Sequence, residues 1–403
     1  MSGRAAIVLL GLASVAHAQP LSLELRSATT VGSTAIDQNG VSFAVTGLSG
    51  LAWRGPSAPD QYLAVMDNSN KIVSLRIVLD AQGSIVSAAI AGAAAGGFHG
   101  GGISLSETRD FEDIVFTGEA NATVWLSEEG VPQLREYALE TGALVRVATT
   151  PPIFLNRRSN FGFESLSASR SQSRLWTANE EALTVDGALS TASAGTLVRL
   201  LAYDLTGPTP APVAQYAYLT QPLHGSAISG SRSGVSQVVT LGNGRLLTLE
   251  RSLALAATFF QTRIYETDVA GATDVSSVSS LTAAPVVRAS KRLLYQGDQT
   301  NLEGLCLGPM LAGGGRAVIG IVDDADPISV NRVVAFRLLG TEASACPADL
   351  NDDGVVDNAD FVRFAQSYNL LLDPVGDLDF DGLCDASDFV LFASAYNDFV
   401  CPA

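Results

Sequence analysis

Acidic side chains recur along this chain at fixed spacings, and the spacings narrow the chemistry they can do. Near the C-terminus, Asp349, Asn351, Asp353, Asp357 and Asp360 occupy positions 1, 3, 5, 9 and 12 of a twelve-residue stretch. At an offset of 28 residues, Asp377, Asp379, Asp381, Asp385 and Asp388 repeat the pattern. Gly354 and Gly382 stand at position 6, where the backbone must turn sharply, and Val355 and Leu383 offer carbonyls at position 7. Oxygen ligands in this order suit calcium, a hard cation with no need of His or Cys. One such stretch is weak evidence, whereas two in tandem form a specific signal. From Cys346 onward the chain holds about a dozen Asp against a single basic residue, Arg363. A block like that signals disorder or metal, and its regular apolar spacing favours metal.

Each stretch leads into a helix. Phe361, Phe364, Ala365 and Tyr368 fall on one helical face, matched by Phe389, Phe392, Ala393 and Tyr396. Val356 and Cys384, at position 8, are expected to pack the two loops together. Both loops fit the EF-hand scheme, but no helix enters them and position 12 is Asp rather than Glu. In these respects the segment from Cys346 to Cys401 resembles the tandem F-hand of type I dockerins. The resemblance implies a module folded by calcium whose exit helices dock a cohesin-like protein. Asn358-Ala359 and Ala386-Ser387 depart from the hydroxyl pair usual at loop positions 10 and 11. A calcium-stabilised cap without a partner is the alternative. Cys346 and Cys401 bracket the module and are expected to pair, leaving Cys306 and Cys384 as buried small hydrophobes.

The long middle of the chain reads as short β-branched strands between Gly, Asn, Asp and Ser turns. Five segments repeat one scheme, an inner strand with a polar residue near its start and a second strand ending on acid. The inner strands begin at Leu48, Phe111, Phe163, Val235 and Leu302, and their partners close on Asp67, Glu128-Glu129, Glu180-Glu181, Glu250-Arg251 and Asp323-Asp324. This spacing predicts an all-β fold, a β-propeller of five or six blades followed by a small α-helical module. A β-sandwich array is the competing architecture. The last copy is a strand short, and Leu21 to Arg26 could complete it and close the ring.

Asn160 to Leu166, Leu249 to Arg251, Asn301 to Leu305 and Val322 to Asp324, in that order, resemble the phytase-like domain family, labelled for the esterase-like activity of phytase. The resemblance covers about Leu48 to Leu339. It implies a secreted propeller that hydrolyses phosphate or carboxylic esters, with family positions falling on Glu112, Glu164, Glu250, Arg251, Asn301, Glu303 and Asp323. Ser49 and Ser236 replace Glu in the first and fourth copies.

Because the first strand of a propeller blade lines the channel, Glu112, Glu164 and Glu303 should converge at one mouth. Carboxylates so placed cannot all ionise without a counter-charge, and calcium bound through Glu112 would supply it. Glu164 or Glu303 would then serve as general base, with Arg251 holding an anionic group, aided by Arg54 or Lys71. The alternative is that these carboxylates cap strands. No G-x-S-x-G elbow is present, and His99 and His224 lie in Gly-rich loops, so a Ser-His-Asp enzyme is poorly supported. Two functions stay open: a calcium-dependent hydrolase of small anionic or ester substrates, and a non-catalytic binding propeller displayed through the tail.

The N-terminus predicts the compartment. Arg4, the apolar run from Ala5 to Ala13, and Ala16-His17-Ala18 form a secretory signal peptide cleaved after Ala18. The run is too short to span about 30 Å of hydrocarbon, so no membrane insertion is expected. A net charge of −17 at pH 7 argues against nucleic acid as a partner. The boundaries expected are 1–18 for the signal peptide, 19–342 for the propeller and 343–403 for the calcium module.

Overall fold

The computed structural model describes residues 20–91, 101–117, 122–169, 172–242, 244–283, 285–324, 328–340, 348–350, 356–368, 370, 375–378 and 383–398. Expectations placed on the signal peptide, His99, Cys346, Cys401, Asn351, Asp353, Gly354, Val355, Asp379, Asp381 and Gly382 lie outside those residues.

The strands follow the apolar runs. After β1 (Ser22–Thr30) and a hairpin of β2 (Thr34–Ile36) and β3 (Ser42–Ala44), five antiparallel sheets follow one another. The first holds β4 (Leu48–Trp53), β5 (Gln61–Met66), β6 (Ser69–Leu79) and β7 (Ile85–Ile90), with β8 (Gly102–Arg109) sharing the edge of β6. The second holds β9 (Phe111–Thr117), β10 (Thr123–Glu128), β11 (Gln133–Ala138) and β12 (Leu144–Val147). The third holds β13 (Ser167–Ala168), β14 (Arg174–Ala178), β15 (Leu197–Asp204) and β16 (Ala211–Leu219). In the fourth are β17 (Arg232–Gly242), β18 (Arg245–Leu253), β19 (Phe260–Asp268) and β20 (Ser290–Gly297). The fifth comprises β21 (Leu302–Met310), β22 (Arg316–Val322) and β23 (Arg332–Leu339), completed by β1.

The molecule is a five-bladed β-propeller. Inner strands β4, β9, β13, β17 and β21 contact one another in a closed cycle. Closure comes from β1, which pairs antiparallel with β23, setting Leu23 opposite Leu338 and Leu25 opposite Phe336. The strand missing from the fifth repeat is thus supplied by the first residues described, as its apolar pattern predicts. Middle strands are apolar on both faces because each blade is sandwiched between two others. Val73 and Ile319 meet between blades five and one, Val65 and Ile114 between one and two, and Trp125 and Leu201 between two and three. Leu200 with Val238, and Leu249 with Val318, fill the remaining two interfaces. Full burial of such a side chain contributes about 1.5–3 kcal/mol.

At the C-terminus, α1 (Asn358–Tyr368) and α2 (Ala386–Asp398) share a separate core of Leu350, Val356, Phe364, Leu378, Cys384 and Phe392. Phe364 and Phe392 stack with centroids 4.7 Å apart. Val356 and Cys384 are fully buried, as expected of position 8. Cys306 is half-buried beside the first interblade core rather than enclosed by it. The helical faces are less uniform than their periodicity predicts. Phe361 and Phe389 stay about half exposed and line, with Tyr396, an open groove. Among the described residues no helix is long and apolar enough to cross a membrane.

Candidate functional site

The channel mouth is built by one irregularity repeated in every blade. In four blades the ladder between the two inner strands slips by one residue near its start, at Ser49-Gly50, Glu112, Ser236 and Glu303. In the third blade the same slip falls between the Phe163–Asn179 bridge and the Ser167–Trp176 pair, a stretch that includes Glu164. A β-bulge bends its strand and re-aims the extra side chain. Glu164 therefore sits ahead of β13 rather than inside a regular strand, with its N–H donating to the Ala178 carbonyl at 3.1 Å.

The result is a crowded acidic well. Carboxylate oxygens of Glu112, Glu129 and Glu164 lie within 4.8 Å of one another, and so do those of Asp67, Asp110 and Glu112. Glu112 belongs to both groups and is 6% exposed. Burial, then the charges of Glu164, Asp67 and Glu129, hold it well above the usual carboxylate range, against a 2.8 Å hydrogen bond from Ser49 Oγ. Burial and the neighbouring Glu180 and Glu129 likewise raise Glu164. Glu129 is pushed up to about 8 by burial and then by Glu180, and Asp110 to about 6 by burial and then by Asp67. Asp67 and Asp110 are half-buried, so the second group opens toward solvent.

Arg251, at the end of β18, answers part of this charge. Its Nη1 donates to Asn301 Oδ1 at 2.8 Å and pairs with Glu303, and its Nη2 donates to Glu180 Oε1 at 2.9 Å. Glu164 lies 3.8 Å away. Asn301 in turn donates to Asp323 Oδ2 at 3.2 Å from a left-handed backbone (φ 43°), a conformation Asn tolerates better than most residues. Arg232 reaches the other oxygen of Glu180 at 3.3 Å.

Below the carboxylates the channel is plugged. Asp113, the residue after Glu112, accepts Gln237 Nε2 at 2.6 Å and the Leu166 N–H at 2.5 Å. The Leu51 and Ile114 N–H groups also donate to it, and Gln237 donates onward to the Leu305 carbonyl at 3.1 Å. This buried pair ties all five blades together and gives the well a floor.

Three of the predicted residues, Glu164, Glu303 and Arg251, meet at the mouth with Glu112, and Asn301 and Asp323 join them. Glu250 does not. Strand alternation turns it away from Arg251, and it accepts bonds from Tyr218 Oη at 2.7 Å and Lys291 at 2.5 Å between blades three and four. Arg54 follows the far end of β4 and binds Gln61 at 2.7 Å, so it cannot hold an anion at the mouth. Lys71 is also excluded, because it pairs with Asp37 at 2.9 Å and with Ser104 on the outer part of blade one. His224 is a loop residue held between Ser252 Oγ and the Thr258 carbonyl, each at 2.9 Å, as its Gly-rich setting predicts. Glu129, Glu180, Asp67 and Asp110 were not singled out as ligands from sequence. The acidic ends of the second strands were the signal that could have found the first three.

In the C-terminal segment the two repeats are structurally equivalent. Asp360 accepts the Leu350 N–H at 2.6 Å and the Asp357 N–H at 2.8 Å; Asp388 accepts those of Leu378 at 2.5 Å and Asp385 at 2.8 Å. Asp357 and Asp385 each accept the N–H two residues on, at 2.7 Å, at the start of α1 and α2, a helix N-cap. Asp349, Asp360, Asp377 and Asp388, at the first and last positions of the two loops, are all buried.

A family model described as phytase-like, esterase-like activity of phytase, matches residues 44–325. The chain belongs to the phytase-like family. The match spans the blades that build the mouth and stops before the C-terminal helices. No curated protein matches. Among solved structures, the PQQ-bound aldose sugar dehydrogenase of Streptomyces coelicolor is similar at 12% identity and TM-score 0.37, with 80% of this chain and 100% of that one covered. Hydrazine synthase of Kuenenia stuttgartiensis is similar at 10% identity and TM-score 0.36, covering 70% and 78%. A luciferin-regenerating enzyme is similar at 11% identity and TM-score 0.35, covering 80% and 96%. Likenesses this distant do not bear on what the phytase-like mouth does.

Proposed function

We propose that this protein is a secreted, calcium-dependent hydrolase of phosphate or carboxylic esters, acting at the propeller mouth. The observation that carries the reading is the pair of carboxylate groups sharing Glu112, whose oxygens crowd within 4.8 Å with burial and mutual repulsion only partly offset by Ser49 and the nearby arginines. An all-oxygen donor set fits calcium, and Asp67, Asp110 and Glu112 on the solvent side would hold it. When bound, such an ion polarises an ester or phosphoryl oxygen and acidifies water.

The remaining roles belong to the chain. Glu164, 3.8 Å from Arg251, would serve as general base once a bound cation and Arg251 hold it ionised against the burial and neighbouring charges that raise it. Glu129, at about 8, keeps its proton at neutral pH and can pass it to the leaving oxygen. Arg251 fixes Glu303 and Glu180 so that the well keeps its shape. Turnover of a generic phosphate or carboxylic ester should require calcium and fall at least about 100-fold in Glu164→Gln, as expected for loss of a general base. Glu303→Gln should also lose activity; full activity in both variants would sink the reading.

A second reading is a non-catalytic propeller displayed through its tail. It is favoured by the closure of Glu303, Arg251, Glu180 and Asn301 upon one another, which is how a structural network looks. Ligand binding without turnover on any ester would select it. In either case the tail is read as a dockerin-like calcium module for attachment to a cohesin-like partner, supported by its paired loop hydrogen bonds.

A further inference from the structure

Two buried donors at the mouth have no partner among the described residues: the Ser236 hydroxyl and Nε of Arg251. Ser236 is 2% exposed and Arg251 6%. Both belong to the two inner strands of blade four, where the register sets Gly234 opposite Arg251 and makes Ser236 the bulged residue two positions on. The bulge at this level is what aims Ser49, in blade one, at Glu112 Oε2. Ser236 has the same place in its own blade and nothing to bond. Of the other buried donors without partners, Tyr62 and Trp125 stand in the cores between blades, and Nε of Arg26 and Arg332 lie on the outer strands β1 and β23.

An unbonded buried donor is costly, so its persistence at a functional site signals a ligand. Arg251 spends both terminal nitrogens on Asn301, Glu303 and Glu180, leaving Nε. We propose that Ser236 Oγ and Arg251 Nε form an oxyanion subsite on blade four, which receives one anionic oxygen of the substrate. The subsite rests on the hydrolase reading for its role in turnover, but not for its existence. A single hydroxyl and a single N–H select a substrate with one small oxyanion, a phosphate monoester or a carboxylate, over a densely charged polyphosphate.

The test is calorimetric titration of the calcium-loaded full chain with inorganic phosphate and, separately, acetate. Wild type should bind at least one of them at millimolar concentration or better. Ser236→Ala should weaken that binding about ten-fold or more, as expected for loss of a hydrogen bond to a charged group. Ser236→Thr, which keeps the hydroxyl, should recover part of it. Without anion, Ser236→Ala should melt no lower than wild type, because the hydroxyl removed has no partner. Unchanged anion affinity in Ser236→Ala, a melting point several degrees lower without anion, or no binding of either anion by wild type would each overturn the subsite. Anion binding that depends on Ser236 in a protein hydrolysing no ester would uphold the subsite and sink the hydrolase reading. Phosphate bound in preference to acetate would assign the subsite to phosphate esters, and the reverse to carboxylates.

Discussion

Arg251 is the cation that the mouth's carboxylates share. Replacing it with Met would leave Glu303 and Glu180 buried against an apolar chain, a loss of about 3–5 kcal/mol for a broken buried pair. Arg251→Lys should recover little, since an ammonium cannot serve Asn301 and Glu180 in opposite directions as a guanidinium does. Urea unfolding at fixed calcium measures both. Asp113 makes a separate prediction. Burial pushes it up to about 8, whereas in the unfolded chain it titrates near the ordinary value of about 4. The native state therefore keeps a proton that the unfolded state has released. The stability this group contributes is complete below pH ~4 and is lost as pH rises through ~8. Melting temperature should fall across that window, and Asp113→Asn should flatten the fall. The same variant should be less stable at every pH, because an amide nitrogen would face the N–H donors of Leu166 or Leu51. A pH slope unchanged by the substitution would contradict this account.

At the scale of elements, the mouth depends on the repeated bulge and on inner strands that nearly touch. Gly50 shows how close they come, since a Cβ there would lie 2.4 Å from Asp113 Cα and 2.7 Å from the Glu112 carbonyl. Gly50→Ala should therefore displace β9 and its two acids, costing about 1–3 kcal/mol or more, and calcium affinity should fall with stability. Much of this element was legible in the sequence. Polar residues at the second place of each inner strand and acids closing the next are a pattern of residue types, so Glu112, Glu164, Glu303 and Arg251 could be placed together. The bulge could not be read, because it exists only in the pairing between strands. Asp110 also escaped notice, as it precedes β9 and reaches the mouth only by the chain's path into that strand. Glu250 was misplaced for a related reason: adjacent residues on a strand face opposite ways, so of Glu250 and Arg251 one alone can enter the channel.

At the scale of the molecule, ring closure by β1 makes the fold a single cooperative unit. Its necessity was visible in a last repeat lacking one strand, although the blade count was not, since five copies could have left a sixth too divergent to recognise. Deleting residues 20–30 should expose the edge of β23 and the Phe336 side of its core, giving aggregation and loss of a sharp melting transition. The tail should behave independently. Chelation should raise proteolysis of residues 346–403 while the β circular-dichroism signal persists, and indifference of the tail to chelator would remove its calcium assignment. The central claim, that the propeller mouth is a calcium site built on Glu112, is tested most directly by anomalous scattering from crystals grown with calcium. The account predicts a peak about 2.3–2.6 Å from carboxylate oxygens of Glu112, Asp67 and Asp110, which vanishes in Glu112→Gln. A mouth with no peak at saturating calcium, beside occupied C-terminal loops in the same crystal, would contradict it.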